Sequence, residues 1–152
     1  MARKNTKPEF AVIGLGRFGS SLAHKLVSRG YTVLGIDRNK DLVQGLADEL
    51  TQVVALDSTD EDALRAVDIT SFDVVVVAIG STLENNLMTT LALKSLGVRK
   101  IICKAQTNKQ RMALLAIGAH EGVLPEQDSA YRLAYAITMP LFIDQIAMGD
   151  RF

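Results

Sequence analysis

The sequence predicts an α/β fold, a Rossmann-type doubly wound parallel six-stranded sheet with a C-terminal crossover or interface helix. Three observations carry that prediction. Short apolar runs alternate with segments of helical periodicity at intervals of about 20 to 25 residues. The run Val74-Val75-Val76-Val77-Ala78 shows no polar alternation, which marks a strand covered on both faces and therefore a parallel sheet. Finally, the glycine-rich stretch Gly14-Leu15-Gly16-Arg17-Phe18-Gly19 separates the first apolar run from the first helical segment.

Taken in order, a polar leader (residues 1–8) precedes Phe10 to Ile13, an apolar run stopped by Gly14. Phe18, Leu22 and Leu26 then recur at helical spacing as far as Gly30. Thr32 to Ile36 is a β-branched, apolar strand ending at Asp37, and Leu42, Leu46 and Leu50 place one stripe on a helix over Asp41 to Leu50. Gln52 to Leu56 reads as the third strand, after which Ser58 or Thr59 is placed to cap a helix running to Val67. Asp73 to Ile79 is the fourth strand. A helix over Leu83 to Leu96 closes at Gly97, a strand covers Lys100 to Lys104, and a helix over Asn108 to Ile117 closes at Gly118. Gly122 to Leu124 is a short sixth strand, and a last helix over Ser129 to Met139 is interrupted by Pro140. These elements make one nucleotide-binding domain over residues 9–140. The segment 141–152 carries Leu141, Phe142, Ile143, Ile146 and Met148. Two readings fit it: an interface helix or the start of a linker to a further lobe, or an ordinary closing helix folded back on the domain.

A chain of 152 residues has the size of one domain and buries well over half of its unfolded surface. With no tryptophan and 5% aromatics, its core is expected to be aliphatic, which suits helices layered on a sheet. Seventeen basic residues balance seventeen acidic ones, so net charge gives no reason to expect nucleic acid or an anionic membrane surface as partner. Cys103, the one cysteine, has no Cys or His at metal-ligand spacing and fits a reducing compartment. The longest apolar run, Val74 to Gly80, is too short to cross a bilayer, and residues 1–9 lack the apolar stretch of a signal peptide. The expected location is cytoplasmic, without direct membrane insertion.

The glycine stretch is specific because of its context: it follows a strand, opens a helix, and an acid ends the next strand. Gly14 allows the tight turn, Gly16 lets backbone approach a phosphate pair, and Gly19 lets helix and strand pack closely; Leu15 and Phe18 complete the loop. The helix N-terminus beyond it faces the phosphates. Asp37 is placed to accept both ribose hydroxyls and would repel a 2′-phosphate, which disfavours NADP. Arg38 is expected to stack on a ligand or to be a solvated charge. Asp57 and Ser58 meet the adenine end or serve a turn, and Ala78, Ile79 and Gly80 line the pocket beyond the fourth strand. Arg17, in the first helical turn, is poorly matched to the helix dipole unless an anion lies near. It contacts terminal phosphates, of its own nucleotide or a neighbour's, or else is a solvated arginine.

Catalytic chemistry is thin. His24 and His120 read as surface residues, and there is no Tyr-x-x-x-Lys pair, nucleophile elbow, Walker lysine or metal-ligand cluster. The sequence supports binding better than turnover, and the chain is read as a non-enzyme. The alternative is the cofactor domain of an NAD-dependent oxidoreductase.

The segments Val12 to Gly19, Gly35-Ile36-Asp37, Asp57-Ser58-Thr59, Val76 to Gly80, Lys104-Ala105 and Pro125-Glu126 together resemble the RCK, or KTN, domain of Ktr/Trk-type potassium-transport regulators. The resemblance covers about residues 9–140, and its most specific element is the loop with Arg17. It implies a cytosolic regulatory subunit, peripheral to the membrane, that forms homodimers within an octameric ring and gates a membrane potassium channel or transporter. It implies ATP or ADP as ligand, with NAD or NADH in related members. By position, Arg17 would meet phosphates across a dimer interface, Lys104 the pocket rim, and Glu126 the phosphates or a divalent cation (Mg or Ca) between subunits. Such regulators usually continue into a smaller C-terminal lobe.

Overall fold

The computed structural model describes residues 7–80 and 82–149; residues 1–6 of the expected leader and 150–152 of the expected tail lie outside the described residues. The strands are Glu9–Ile13 (β1), Thr32–Asp37 (β2), Gln52–Ala55 (β3), Val74–Val77 (β4), Ile101–Lys104 (β5) and Glu121–Val123 (β6). Between and after them run helices Arg17–Ser28 (α1), Lys40–Gly45 (α2), Glu61–Ala66 (α3), Leu83–Leu96 (α4), Asn108–Ile117 (α5) and Pro125–Gly149 (α6).

The strands form one six-stranded sheet in the order β3-β2-β1-β4-β5-β6, and every pairing is parallel. This is the doubly wound order that was expected, reversing direction between β1 and β4. Ile13 stands opposite Ile36 on one side and Val77 on the other. The carboxyl ends of β1, β2 and β4 are therefore level, so Gly14, Asp37 and Ala78 emerge side by side.

Period two along each strand divides the interior into two cores. Ala11, Ile13, Leu34, Ile36, Val75, Val77, Ile101 and Cys103 pack with Leu64 of α3, Leu93 of α4 and Leu114 of α5. Val12 and Val33 turn the other way and pack with Leu15, Ala23 and Leu50, flanked by Leu22 and Leu26 of α1. Each such aliphatic side chain, once fully buried, contributes about 1.5–3 kcal/mol. The unbroken Val74 to Val77 run is thus explained: both of its faces are covered.

Helices α4 and α5 have the expected bounds, and most strand ends differ by a residue or two. Three expectations need correction. Helix α2 ends at Gly45 rather than Leu50, and tight turns follow, with Ala47 N–H donating to the Gln44 carbonyl and Glu49 N–H to that of Leu46. Those turns keep the stripe running, so Leu50 is still buried. The cap of α3 is Asp60, whose carboxylate accepts from Asp62 and Ala63 N–H, not Ser58 or Thr59. Pro140 does not interrupt the last helix: α6 starts at Pro125 and runs through Pro140 to Gly149, across the expected 140/141 boundary. Pro125 suits the first helical position, where its missing N–H costs nothing. At Pro140 the helix gives up one backbone hydrogen bond and continues. Among the described residues, no helix is long and apolar enough to cross a membrane.

Candidate functional site

The level ends of β1, β2 and β4 leave a cavity of about 680 Å³ at the point where strand order reverses, within the range of small-molecule sites. The glycine loop forms its floor. Gly14 adopts φ of +97°, and a Cβ there would lie 2.8 Å from the Ala78 carbonyl carbon and oxygen. A Cβ on Gly19 would collide with the Gly14 carbonyl oxygen. At Gly16 it would meet nothing, so that backbone presents an open face to the cavity. Two hydrogen bonds hold the loop to the sheet: Gly14 N–H to the Ile36 carbonyl at 2.8 Å and Ala78 N–H to the Ile13 carbonyl at 2.6 Å.

Helix α1 opens onto this floor without a side-chain cap and with no acid in its first turn. Its neighbours differ: Asn39, Asp60, Thr82 and Thr107 cap α2 to α5 with side-chain oxygens. The α1 N–H groups and the positive end of its dipole are left for an anion in the cavity. Arg17 lines the cavity, is exposed, and has no carboxylate partner among the described residues.

Asp37 lines the cavity at the end of β2. One carboxylate oxygen accepts Leu15 N–H at 2.7 Å and the other Asn39 N–H at 2.8 Å. The acid therefore ties the glycine loop to the turn before α2, and each of its oxygens keeps a further lone pair with which a carboxylate can accept a hydroxyl. Arg38 has a 68% exposed side chain, and its Nη2 pairs with Asp57 Oδ2 at 2.8 Å, joining the ends of β2 and β3 along the rim. Asp57 in turn accepts Thr59 Oγ1–H at 2.7 Å and Thr59 N–H at 3.0 Å. The Thr59 side-chain bond and then its backbone bond hold the Asp57 carboxyl below its ordinary value; burial opposes them, and Arg38 adds a lesser lowering effect. Ser58 lines the cavity yet is buried, its Oγ 2.7 Å from Thr89 Oγ1 of α4.

On the far side, Ala78, Ile79 and Gly80 form the wall, and Lys104 reaches across from β5 with its Nζ 5.6 Å above the Phe18 ring. Of the other expected site residues, Leu15 is buried beneath the loop and Gly19 packs under Gly14, so both shape the cavity from behind. Glu126 does not line it. It is exposed in the first turn of α6, where its charge complements the helix dipole.

Sequence reasoning missed Asn39, Leu42, Leu56 and Asn85 in the lining. Leu42 had been assigned to a core stripe but is 40% exposed at the cavity mouth. Leu56 carried a usable signal, since it follows the carboxyl end of β3. His120 is exposed, yet its Nδ1 accepts Ile101 N–H at 2.9 Å and so binds the start of β5. Among the described residues no three His, Cys, Asp or Glu side chains gather as metal ligands.

A parallel sheet reversing at β1/β4, a glycine loop at the reversal and an acid closing β2 define a Rossmann-like α/β domain. More particularly, the chain belongs to the TrkA-N domain family, whose model matches residues 10–125. This bears out the resemblance carried by the loop and the strand ends. The chain is 41% identical to Ktr system potassium uptake protein C of Bacillus subtilis over 144 residues, covering 95% of this chain and 65% of the relative. It is 35% identical to Ktr system potassium uptake protein A of the same organism, with the same coverage. The chain thus spans 65% of the length of these relatives. Among solved structures, the NAD(P)-binding domain of an exopolyphosphatase-related protein from Archaeoglobus fulgidus matches with a TM-score of 0.78 at 28% identity, covering 88% of this chain and 99% of that one.

Proposed function

We propose that this chain is the nucleotide-sensing domain of a potassium-transport regulator, and that the cavity at the β1/β4 reversal takes an adenine nucleotide. The observation that carries the reading is the uncapped N-terminus of α1, opening over the bare Gly16 backbone into a cavity of about 680 Å³. Phosphates rest on the α1 N–H groups and the glycine loop, the ribose on Asp37, and the adenine against the Arg38–Asp57 rim and Ser58. ATP or ADP is the expected ligand, and NAD or NADH the alternative. The likeness to the two Ktr system proteins supports a role in potassium uptake through a membrane-embedded partner subunit. The non-enzyme reading draws support from the cavity's own carboxylates, since Asp37 and Asp57 are both engaged in turn hydrogen bonds rather than poised for proton transfer.

Regulation follows from population shift: a ligand moves an equilibrium between assemblies only if it contacts the two states differently. Arg17, exposed at the cavity edge, is the group able to touch an additional phosphate or one held by a neighbouring copy. Homodimers within a ring docked on the transporter complete the reading, and Glu126 is the position proposed for a divalent cation between subunits.

Titration calorimetry with ATP, ADP, NAD and NADH, with oligomer mass recorded in each, tests this. ATP or ADP is expected to bind, and Arg17→Ala to weaken ATP about tenfold or more while ADP changes less, as fits the loss of one charge-assisted phosphate contact. Asp37→Ala should weaken every nucleotide alike, because it also releases Leu15 and Asn39. Absence of binding by all four nucleotides would refute the proposal.

A further inference from the structure

Strand β6, three residues long, is an edge of the sheet and pairs with β5 alone. Their register runs from Ile102 opposite Glu121 to Lys104 opposite Val123. Just before that register, His120 and Ile101 exchange two further hydrogen bonds. The His120 N–H donates to the Ile101 carbonyl at 2.8 Å, and the Ile101 N–H donates to His120 Nδ1 at 2.9 Å. Helix α6 starts at Pro125, after Leu124 alone, so whatever fixes β6 fixes the origin of α6.

The second of those bonds depends on protonation. A neutral imidazole that accepts at Nδ1 carries its proton on Nε2, whereas an imidazolium has N–H on both nitrogens and accepts at neither. On charging, Nδ1–H would point at the Ile101 N–H, so two donors would oppose each other where a bond had been. The ring is exposed, and protons reach it directly. The charged groups on the elements around this turn are Lys100 and Glu121, paired at 2.9 Å, and Arg99 and Asp73, paired at 3.1 Å. With them stand Lys94 of α4, packed on Gly118, and Arg111 of α5, packed on Gly122. Both carboxylates already face a cation, so none of these groups compensates a charged ring. The chain's other histidine, His24, stands 3.2 Å from Glu49 in a contact that protonation strengthens. The two histidines therefore answer acid in opposite senses.

We propose that His120 is a proton-sensitive clasp at the edge of the sheet, closed while its ring is neutral and opened by acid. Opening frees β6 and, through it, the root of α6. Histidine ordinarily changes charge between about pH 5 and 8, which sets the range over which the clasp works.

Nitrogen NMR of the unmodified chain should show Nδ1 of His120 bare and Nε2 protonated at pH 8, and both protonated at pH 5. Amide exchange, corrected for its intrinsic pH dependence, should show protection of Ile101, Gly122 and Val123 falling about fivefold or more between those values, the effect of one lost hydrogen bond. His120→Asn carries Oδ1 in the place of Nδ1, accepts the Ile101 N–H at any pH, and should keep its protection down to pH 5. His24→Gln should leave the fall unchanged. A proton on Nδ1 at pH 8 overturns the clasp, as does equal protection of β6 at pH 8 and pH 5. So does a His120→Asn variant that loses protection as the parent does, or a His24→Gln variant that no longer loses it. The first two measurements need no variant, so they decide the matter even where a variant fails to fold.

Discussion

The α/β body and helix α6 are both rich in apolar residues and treat them in opposite ways. In the body, Ile13, Leu34, Leu64, Leu93, Ile101 and Leu114 are each 2% exposed or less. In α6, Tyr131, Leu133, Ile137, Leu141, Phe142 and Ile143 are 56% to 63% exposed. The difference lies in pattern rather than in amount. Body strands alternate between two covered faces, and α1 keeps its apolar residues to one stripe, so each side chain has a core to enter. Helix α6 carries apolar residues around its whole circumference, which is the pattern of a helix meant to be covered on several sides. Its own domain supplies no such cover: both faces of the sheet already carry helices. Apolar side chains are thus enclosed in the body and left exposed along α6.

That contrast can be broken most severely in the body. Gly19→Val places a side chain where the Gly14 carbonyl already stands, so the glycine loop and α1 must move apart. Overpacking of a close-packed contact costs about 1–3 kcal/mol or more. Urea unfolding should show a clear drop in midpoint, and calorimetry should show nucleotide binding abolished. A variant that folds and binds as the parent does would mean that the helix and strand are not in close contact.

The paired substitution Leu141→Asp with Ile143→Asp probes the other side of the comparison. Both residues are exposed in the single chain, so body stability should change by no more than about 0.5 kcal/mol, as for ordinary surface sites. Oligomer mass by light scattering should fall. A large loss of thermal stability in an already monomeric chain would show instead that α6 folds back on its own domain.

The smallest effect belongs to the rim. Because Thr59 and then Arg38 hold the Asp57 carboxyl below its ordinary value of 3.8, the charged form favours the folded state. That stabilisation is fully present above pH 3.8 and is lost as pH falls through the lower folded value. The Asp57 side chain is 43% exposed, so solvent screening keeps the contribution to at most about 1 kcal/mol. Asp57→Asn should therefore lower thermal stability slightly at pH 7, and the gap to the parent should narrow as pH falls below 3.8. A gap that stays constant with pH would assign the effect to lost turn geometry rather than to charge.

Much of the cavity could be read from the chain because its parts follow local rules. Gly14, Gly16 and Gly19 declare themselves by spacing between a strand and a helix, and Asp37 by its place at the end of the next strand. Ala78, Ile79 and Gly80 follow from the general placement of ligands beyond strand ends. What escaped was set by pairs distant in sequence. The Arg38–Asp57 contact depends on β2 and β3 being neighbours in register. No motif marks Asn86, and only the packing of α4 against the end of β5 buries its amide and leaves one oxygen unpaired.

By itself, then, the sequence determined the alternation of strand and helix, the parallel sheet, the glycine loop and the acid beside it. All of these are written in periodicity, turn residues and apolar runs that act over a few residues. The tertiary structure alone decided that Asp37 clamps the loop through two backbone N–H groups, that Ser58 turns inward to Thr89, and that a second pocket opens beside Gly80. It also decided that α6 passes through Pro140 as one helix. Hydrogen bonds and burial of that kind depend on which strand ends lie level with which, and that register is fixed only when the whole sheet has assembled.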